Sequence, residues 1–420
     1  MTRIKNPPRH SSADEIPAYY DLIILGGGCA GLSLAVRLAA LGQACPKTLI
    51  LERRTEYHND RTWCFWGDSS AWVSRLIAHR WPTIKLRSEE RCVLVDCHSM
   101  PYQMISGLGF YRAALQAIEQ SDRIDLQLGV DLSSEPRKLG DTWRIGTSAA
   151  CYRGALVVDT RPACYSASEN ALLWQSFYGH EIECDAEVFD PACADLMDFT
   201  AADCNGVHFN YVLPFSPTRA LVETTVLSAE RMGYGALTVK LQSTIAGRLN
   251  GVGYRVLRAE SGILPMGVIS PAVGGDSTYV RAGLTAGGAR ASTGYAFQRI
   301  QTWADSCSRS ITRGGVPTTH FPDPLLLRGL DQLFVSVLRS HPEIAPSLFL
   351  SLFEKTSSER LIRFLSDHGT VCDYAAIAAS LSALPFICEI PRLLLRKSHK
   401  PAGNLTLLQR VDHWMGLRGS

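Results

Sequence analysis

The stretch from Tyr20 to Glu52 limits what this chain can become more than any other. An apolar run, Asp21-Leu22-Ile23-Ile24-Leu25, leads into Gly26-Gly27-Gly28-Cys29-Ala30-Gly31 and then into Leu32 to Leu41. A second apolar run, Thr48-Leu49-Ile50-Leu51, ends at Glu52. The order is strand, glycine turn, helix, strand, acid. Each part has a use in dinucleotide binding. Gly26 permits the tight turn, Gly28 lets the backbone approach a pyrophosphate, and Gly31 lets the helix sit close to the strand. The helix N-terminus offers free N–H groups to the phosphates. Glu52 stands 21 residues beyond Gly31, where a carboxylate can accept bonds from an adenosine ribose. A carboxylate there disfavours a 2′-phosphate, so FAD or NAD is expected rather than NADP.

A chain of 420 residues has room for two or three domains. With 46% hydrophobic and 20% charged residues it is of globular composition. The net charge of +2 creates no field that would collect nucleic acid. The thirteen cysteines contain no Cys-x-x-Cys pair, and the eleven histidines show no ligand spacing, so no metal is assigned. There is no Gly-x-Ser-x-Gly elbow to support nucleophilic hydrolysis. Residues 1–19 lack an apolar core of signal-peptide length and are expected to form a disordered lead. The longest uncharged apolar stretch, Tyr374 to Cys388, has 15 residues and contains Pro385. A membrane span needs about 20, so an interfacial segment is the most that this stretch supports.

Downstream, the pattern predicts strands at 91–96, 124–128, 143–145, 151–153 and 155–159, and a helix from Phe110 to Ile118. Strand-like residues return at 172–184, 208–213 and 220–227, and suggest a second sheet. Residues 234–249 have helical spacing. A strand at 279–284, a small-residue loop at 285–294 and a helix from Tyr295 make a second strand–loop–helix corner. Apolar residues in helical spacing follow from Pro322 onward. Several residues have two readings. Trp63, Phe65 and Trp66 are either core anchors or a wall beside a ligand. Asp159 either faces a ligand crevice or ends its strand. Arg219 either orients a carboxylate or phosphate or makes a surface bond. Glu223, inside Ala220-Leu221-Val222-Glu223-Thr224-Thr225-Val226-Leu227, is either a buried acid kept protonated by desolvation or a glutamate on a solvent face.

Several segments together resemble the bacterial lycopene cyclases. They are Asn59-Asp60-Arg61-Thr62-Trp63-Cys64-Phe65-Trp66, Val158-Asp159-Thr160-Arg161-Pro162, Trp174 to Glu183, Phe189 to Phe199, and Leu213-Pro214-Phe215-Ser216-Pro217-Thr218-Arg219-Ala220-Leu221-Val222-Glu223-Thr224-Thr225. Ala286-Gly287-Gly288 to Ser292-Thr293-Gly294-Tyr295 resembles the family's second flavin loop, with Ala291 where a proline is common. The resemblance implies an α/β FAD-binding Rossmann-like fold of the two-dinucleotide-binding-domain type. An inserted antiparallel β-sheet substrate domain and a helical C-terminal region complete it. The expected boundaries are 20–165 and 251–313 for the FAD domain, 166–250 for the insert and 314–420 for the helical region.

The resemblance also implies a redox-neutral, proton-initiated closure of lycopene ends to β-rings, with reduced FAD and with NAD(P)H as reductant. Glu223 is then the acid/base. The candidate cofactor contacts are Gly26, Gly28, Ala30, Gly31, Glu52, Arg61, Asp159, Gly287, Gly288, Thr293 and Gly294. The candidate substrate contacts are Trp63, Phe65, Trp66, Phe215 and Arg219. Because the substrate dissolves in lipid, the expected location is the cytoplasmic surface of the inner membrane. Leu381 to Ile387 and the basic cluster Arg392, Arg396, Lys397 and Lys400 are the candidate contact. Two rivals remain open on the residues: an FAD-dependent monooxygenase or polyene reductase on the same scaffold, and a carotenoid carrier without turnover.

Overall fold

The structure, a computed structural model, describes residues 17–148, 150–162, 171–200, 206–267 and 275–398. The first layer is a seven-stranded sheet. Its parallel core runs Ile124–Gln127, Thr48–Leu51, Ala18–Leu25, Cys151–Asp159. Tyr279–Arg281 adds a further parallel strand beside the end of Cys151–Asp159. The hairpin Arg137–Leu139 and Thr142–Gly146 pairs with the start of that strand. The continuous apolar runs follow from burial on both faces. Leu22 and Ile24 pack towards the helices Cys29–Ala39 and Gly107–Glu119. Ile23 and Leu25 pack the other way, with Leu49, Tyr152 and Val157.

The second layer is also seven-stranded, in the order Tyr254–Met266, Leu173–Cys184, Arg219–Ser228, Val207–Ser216, Cys193–Asp198, Thr83–Arg87, Cys92–Asp96. It is wider than the insert expected at 166–250. Thr83–Arg87 comes from the first stretch of chain and pairs in parallel with Cys193–Asp198, and Tyr254–Met266 lies beyond residue 250. Pairings between such distant stretches leave no local periodicity to read. Helix Tyr234–Leu249 covers one face, meeting Val212, Val222 and Val226. The C-terminal helices cover the other, meeting Leu213, Leu221 and Leu227.

Between the layers stands a three-stranded sheet, Thr62–Phe65, Tyr102–Ser106 and His79–Trp81. Side chains alternate across a strand. Trp63 and Phe65 therefore enter the first core, and Cys64 and Trp66 the second. The C-terminal region is helical as expected, with Leu325–Ser340, Ala345–Lys355, Ser358–Leu365, Val371–Ser380 and Ala383–Ser398. Among the described residues no single helix is long and apolar enough to cross a membrane; Val371–Ser380 and Ala383–Leu393 pass that test only together, with a bend of 109°. The expected lead at 1–19 lies outside the described residues up to residue 16, and a strand already starts at Ala18.

Candidate active site

The glycine turn makes a cradle with an open side. Gly26 has φ +96°, and a Cβ on Gly31 would overlap the Gly26 carbonyl oxygen. Both positions demand glycine for steric reasons. The nearest atom to a Cβ on Gly28 would be 3.8 Å away, so space is free there. Gly28 caps the helix Cys29–Ala39 without a side-chain bond, which leaves the first-turn N–H groups for a ligand. Glu52 accepts from the Gly27 N–H at 2.6 Å and the Arg54 N–H at 2.8 Å. Burial pushes its carboxyl up, but the bonds from Arg54 and Gly27 outweigh this and hold it below the usual range.

The second small-residue loop closes on the first. A Cβ on Gly283 would touch Ala30 Cβ at 3.4 Å, and one on Gly288 would crowd the Gly283 carbonyl. Gly283, Gly287 and Gly294 have φ of +93°, +94° and +71°. Helix Phe297–Thr312 packs on Cys29–Ala39 through Arg37–Asp305 and Gln301–Ser33. These backbones fit a dinucleotide laid across both loops. His320, which the sequence reading overlooked, accepts the Gly283 N–H through Nε2 at 3.0 Å. Burial, with help from Arg299, lowers its pKa to about 4, so it stays a neutral acceptor.

Glu223 sits in the middle of the second sheet, on a strand buried along nearly its whole length. The sheet is covered on both faces, so there is no solvent face for this glutamate, and only 8% of it is exposed. The ladder places Tyr211 directly beside it on one side and Gly179 on the other, with Glu260 opposite Gly179. Thr225 Oγ1 donates to Glu223 Oε1 at 3.1 Å. Burial first, and the negative charge of Glu260 second, push the Glu223 carboxyl far up; Thr225, Arg258 and Arg61 pull the other way and lose. Burial therefore favours the protonated form of Glu223.

It faces a cavity of about 390 Å³. Tyr102, Tyr211, Tyr295 and Thr293 surround the Glu223 end. The hydroxyls of Tyr102 and Tyr211 meet at 3.0 Å, and burial raises both phenols well above their usual range, so both keep their protons. Phe334, Phe349, Phe353 and Phe364 also line it, as do Leu381, Phe386, Ile387 and Ile390. Ile387 and Ile390 are also 61% and 45% exposed, and their neighbour Leu384 69%. A side chain that both lines a cavity and meets solvent marks a mouth. Glu389, buried in the same helix, accepts from Ser336 Oγ at 2.7 Å and ties that helix to Leu325–Ser340. An acid at the inner end of an apolar, π-lined cavity can protonate an uncharged alkene and shelter the cation that results.

Of the expected substrate contacts, Trp66 comes nearest. It is buried behind the cavity, with ring centroids 4.3 Å from Tyr102 and 5.8 Å from Tyr295. Trp63 and Phe65 stack on Phe297 in the first core, away from the cavity lining. Phe215 packs near Trp81 and His79. Arg219 donates to Glu181 at 2.6 Å and does not reach the cavity. Arg61 donates to the Ser261 carbonyl at 2.9 Å, joining its turn to the second sheet. The Asp159 carboxylate receives Arg161 and Tyr279, so its side chain fastens the strand end. The tyrosines were missed. Tyr211 was not findable by counting, since a two-residue turn at Pro217-Thr218 would pair Glu223 with Val212, and only the register shift between Pro214 and Ser216 brings Tyr211 beside it. Tyr102 and Tyr295 arrive from distant segments that no local pattern joins. Among the basic candidates, Arg392 donates to Glu389, and the side chains of Arg396, Lys397 and Lys400 lie outside the described residues.

Comparison with known proteins bears on the fold and the family. Solved structures share the fold at low identity. A geranylgeranyl bacteriochlorophyll reductase-like protein from Thermoplasma acidophilum has a TM-score of 0.57 at 13% identity, covering 90% of this chain and 100% of that one. A flavin-dependent brominase has a TM-score of 0.59 at 13% identity, over 89% and 100%. The chain is 27% identical over 311 residues to the lycopene beta-cyclase of Pseudescherichia vulneris, covering 71% of this chain and 75% of that one. It is 28% identical over 296 residues to the lycopene beta-cyclase of Paracoccus sp. (strain N81106 / MBIC 01143), covering 68% and 72%. The family model described as lycopene cyclase protein matches residues 21–389, and the chain belongs to the lycopene cyclase family.

Proposed function

We propose that this protein is a lycopene β-cyclase that binds FAD and draws its substrate from a membrane surface. The observation that carries the reading is the buried carboxyl of Glu223, pushed towards its protonated form by burial, at the inner end of an apolar cavity. Family membership and the two facing glycine loops support FAD as the dinucleotide. Reduced FAD, recharged by NAD(P)H, would supply an electron-rich, negatively charged ring system beside a developing cation without net electron transfer.

The chain's own residues do the rest. Glu223 gives its proton to the terminal double bond of the polyene, and the chain closes on the cation. A neighbouring ring C–H then loses its proton to leave the ring double bond. Atoms and electrons balance, so product and substrate have equal mass. Tyr102, Tyr211 and Tyr295 line the cavity, and aromatic rings there would attract a cation. The phenylalanines exclude water that would quench it. The exposed apolar row at Leu384, Ile387 and Ile390 supports a mouth that rests on lipid, in a peripheral protein on the cytoplasmic side of the inner membrane. The test is expression in a bacterium that accumulates lycopene, with pigments separated by chromatography and mass. Conversion to mono- or bicyclic carotene of unchanged mass is expected. A pigment of altered mass would mean a reductase or monooxygenase, and unchanged lycopene a carrier.

His320 gives a second check, on the cofactor. His320→Phe strands the Gly283 N–H without its acceptor. A buried unpaired donor costs about 1–3 kcal/mol, so the affinity for FAD should fall about tenfold or more in a fluorescence titration. The wild type should behave the same way in acid. The His320 pKa is lower in the fold than its free value of 6.5, so its contribution is complete above pH 6.5 and is lost as pH falls through about 4.

A further inference from the structure

We propose that Glu260 is a positioning residue for the acid: an anion set two strands away across Gly179, it keeps the proton on Glu223 before turnover and drives its return afterwards. This rests on Glu223 being the acid of the proposed cyclisation. Directly opposed residues in an antiparallel ladder share a face, so Tyr211, Glu223, Gly179 and Glu260 form one row. Gly179 supplies no side chain to that row. A Cβ there would lie only 3.0 Å from Glu223 Cβ, so the gap keeps the two glutamates from being walled apart. Glu260 is buried and ion-paired with Arg258, and it accepts from Thr62 Oγ1 at 2.7 Å. Arg258 is shared with Glu181 through Nε at 2.5 Å, and Glu181 also accepts from Arg219 at 2.6 Å, so two arginines serve these two carboxylates.

Other groups meet Glu223 from every side. They are Thr225 on its own strand, Tyr211 on the next, Arg258 beside Glu260, Arg61 on the preceding turn and Cys64 on the small sheet. After burial, the charge of Glu260 is the largest influence, larger than that of either arginine. When Glu223 has given its proton to the alkene carbon, two carboxylates face each other across Gly179 in a buried site. Like charges so placed cannot both stay ionised cheaply. The ring C–H bond then breaks, its electron pair becomes the ring double bond, and the proton returns to Glu223. The site is reset without a proton from bulk water.

The test uses the full, flavin-loaded protein with lycopene in vesicles, and an infrared titration of the Glu223 carboxylic acid band without substrate. Glu223→Gln identifies the band by removing it. Glu260→Gln leaves Arg258 paired with Glu181, so the fold should hold. It is expected to lower the pH midpoint of the band, and the alkaline limb of kcat, by about one unit or more with little change in KM. Glu260→Asp keeps the charge and should restore the midpoint. Thr62→Val cuts the hydrogen bond but leaves both charges, and should leave the midpoint in place. An unmoved midpoint in Glu260→Gln, or an equal shift in Thr62→Val, would overturn the role of Glu260. If Glu223→Gln cyclised like the wild type, the acid assignment itself would fall and take this role with it. If it were inactive while Glu260→Gln kept the wild-type midpoint, Glu260 alone would be discarded.

Discussion

Glu223→Gln is expected to lower ring closure by about 10²–10⁴-fold, the usual worth of a positioned general acid. The protein should remain folded and able to hold its flavin. Glutamine matches a protonated glutamic acid in size and still accepts from Thr225, but it has no acidic proton to give. The stability effect has a definite sign. The Glu223 pKa is raised in the fold, so its contribution is complete below the unfolded value of 4.5 and is lost as pH rises through the folded value. The variant lacks that loss and should melt no lower than the wild type at neutral pH, and higher in alkali. Turnover by HPLC, flavin absorbance and a thermal melt across pH check all three. Near-normal turnover in a flavin-loaded variant would send the search for the acid elsewhere.

The second large effect belongs to the mouth. Leu384→Asp with Ile387→Asp puts two charges on one face of helix Ala383–Ser398, three residues apart and both now largely exposed. Burying such a side chain is worth about 1.5–3 kcal/mol each. Two lost contacts should weaken binding to vesicles by about a hundredfold or more in co-sedimentation. Cyclisation of lycopene supplied in vesicles should fall with it. Lycopene in detergent micelles should be turned over far more nearly at the wild-type rate, because Glu223 and its tyrosines are untouched. Equal losses in both media would mean that the helix shapes the cavity and does not meet lipid.

Much of this was legible before any coordinates. The strand from Ala18 to Leu25, its glycine turn and the helix after it combine period, turn chemistry and spacing, and all three agree. The expected helix at 234–249 is found as Tyr234–Leu249. Glu223 was visible as one acid inside a β-rich run, but periodicity left it a choice of faces, and it was the family resemblance that favoured the buried acid. What failed was the assignment of faces. Trp63 and Trp66 lie three apart and look like one aromatic patch, but a strand with cores on both sides sends them opposite ways. Arg219 lies four residues from Glu223, on the same face by alternation only if the strand is regular to its end. There it is drawn out to Glu181 on the neighbouring strand. The tyrosine cluster depends on three segments meeting, which is a property of topology and not of any one stretch.

The strand Thr62–Phe65, shared by both cores, has a consequence for how the two binding events depend on each other. Its odd-numbered side chains brace the layer that carries the glycine loops, and its even-numbered neighbours Cys64 and Trp66 back the tyrosines around Glu223. A cofactor that stiffens one layer must stiffen the wall of the other. Such linkage is reciprocal: by whatever factor a bound dinucleotide raises the affinity for a polyene end, a seated polyene raises the affinity for the dinucleotide. An enzyme that meets its substrate only at a lipid surface would thus hold its cofactor most firmly where it works.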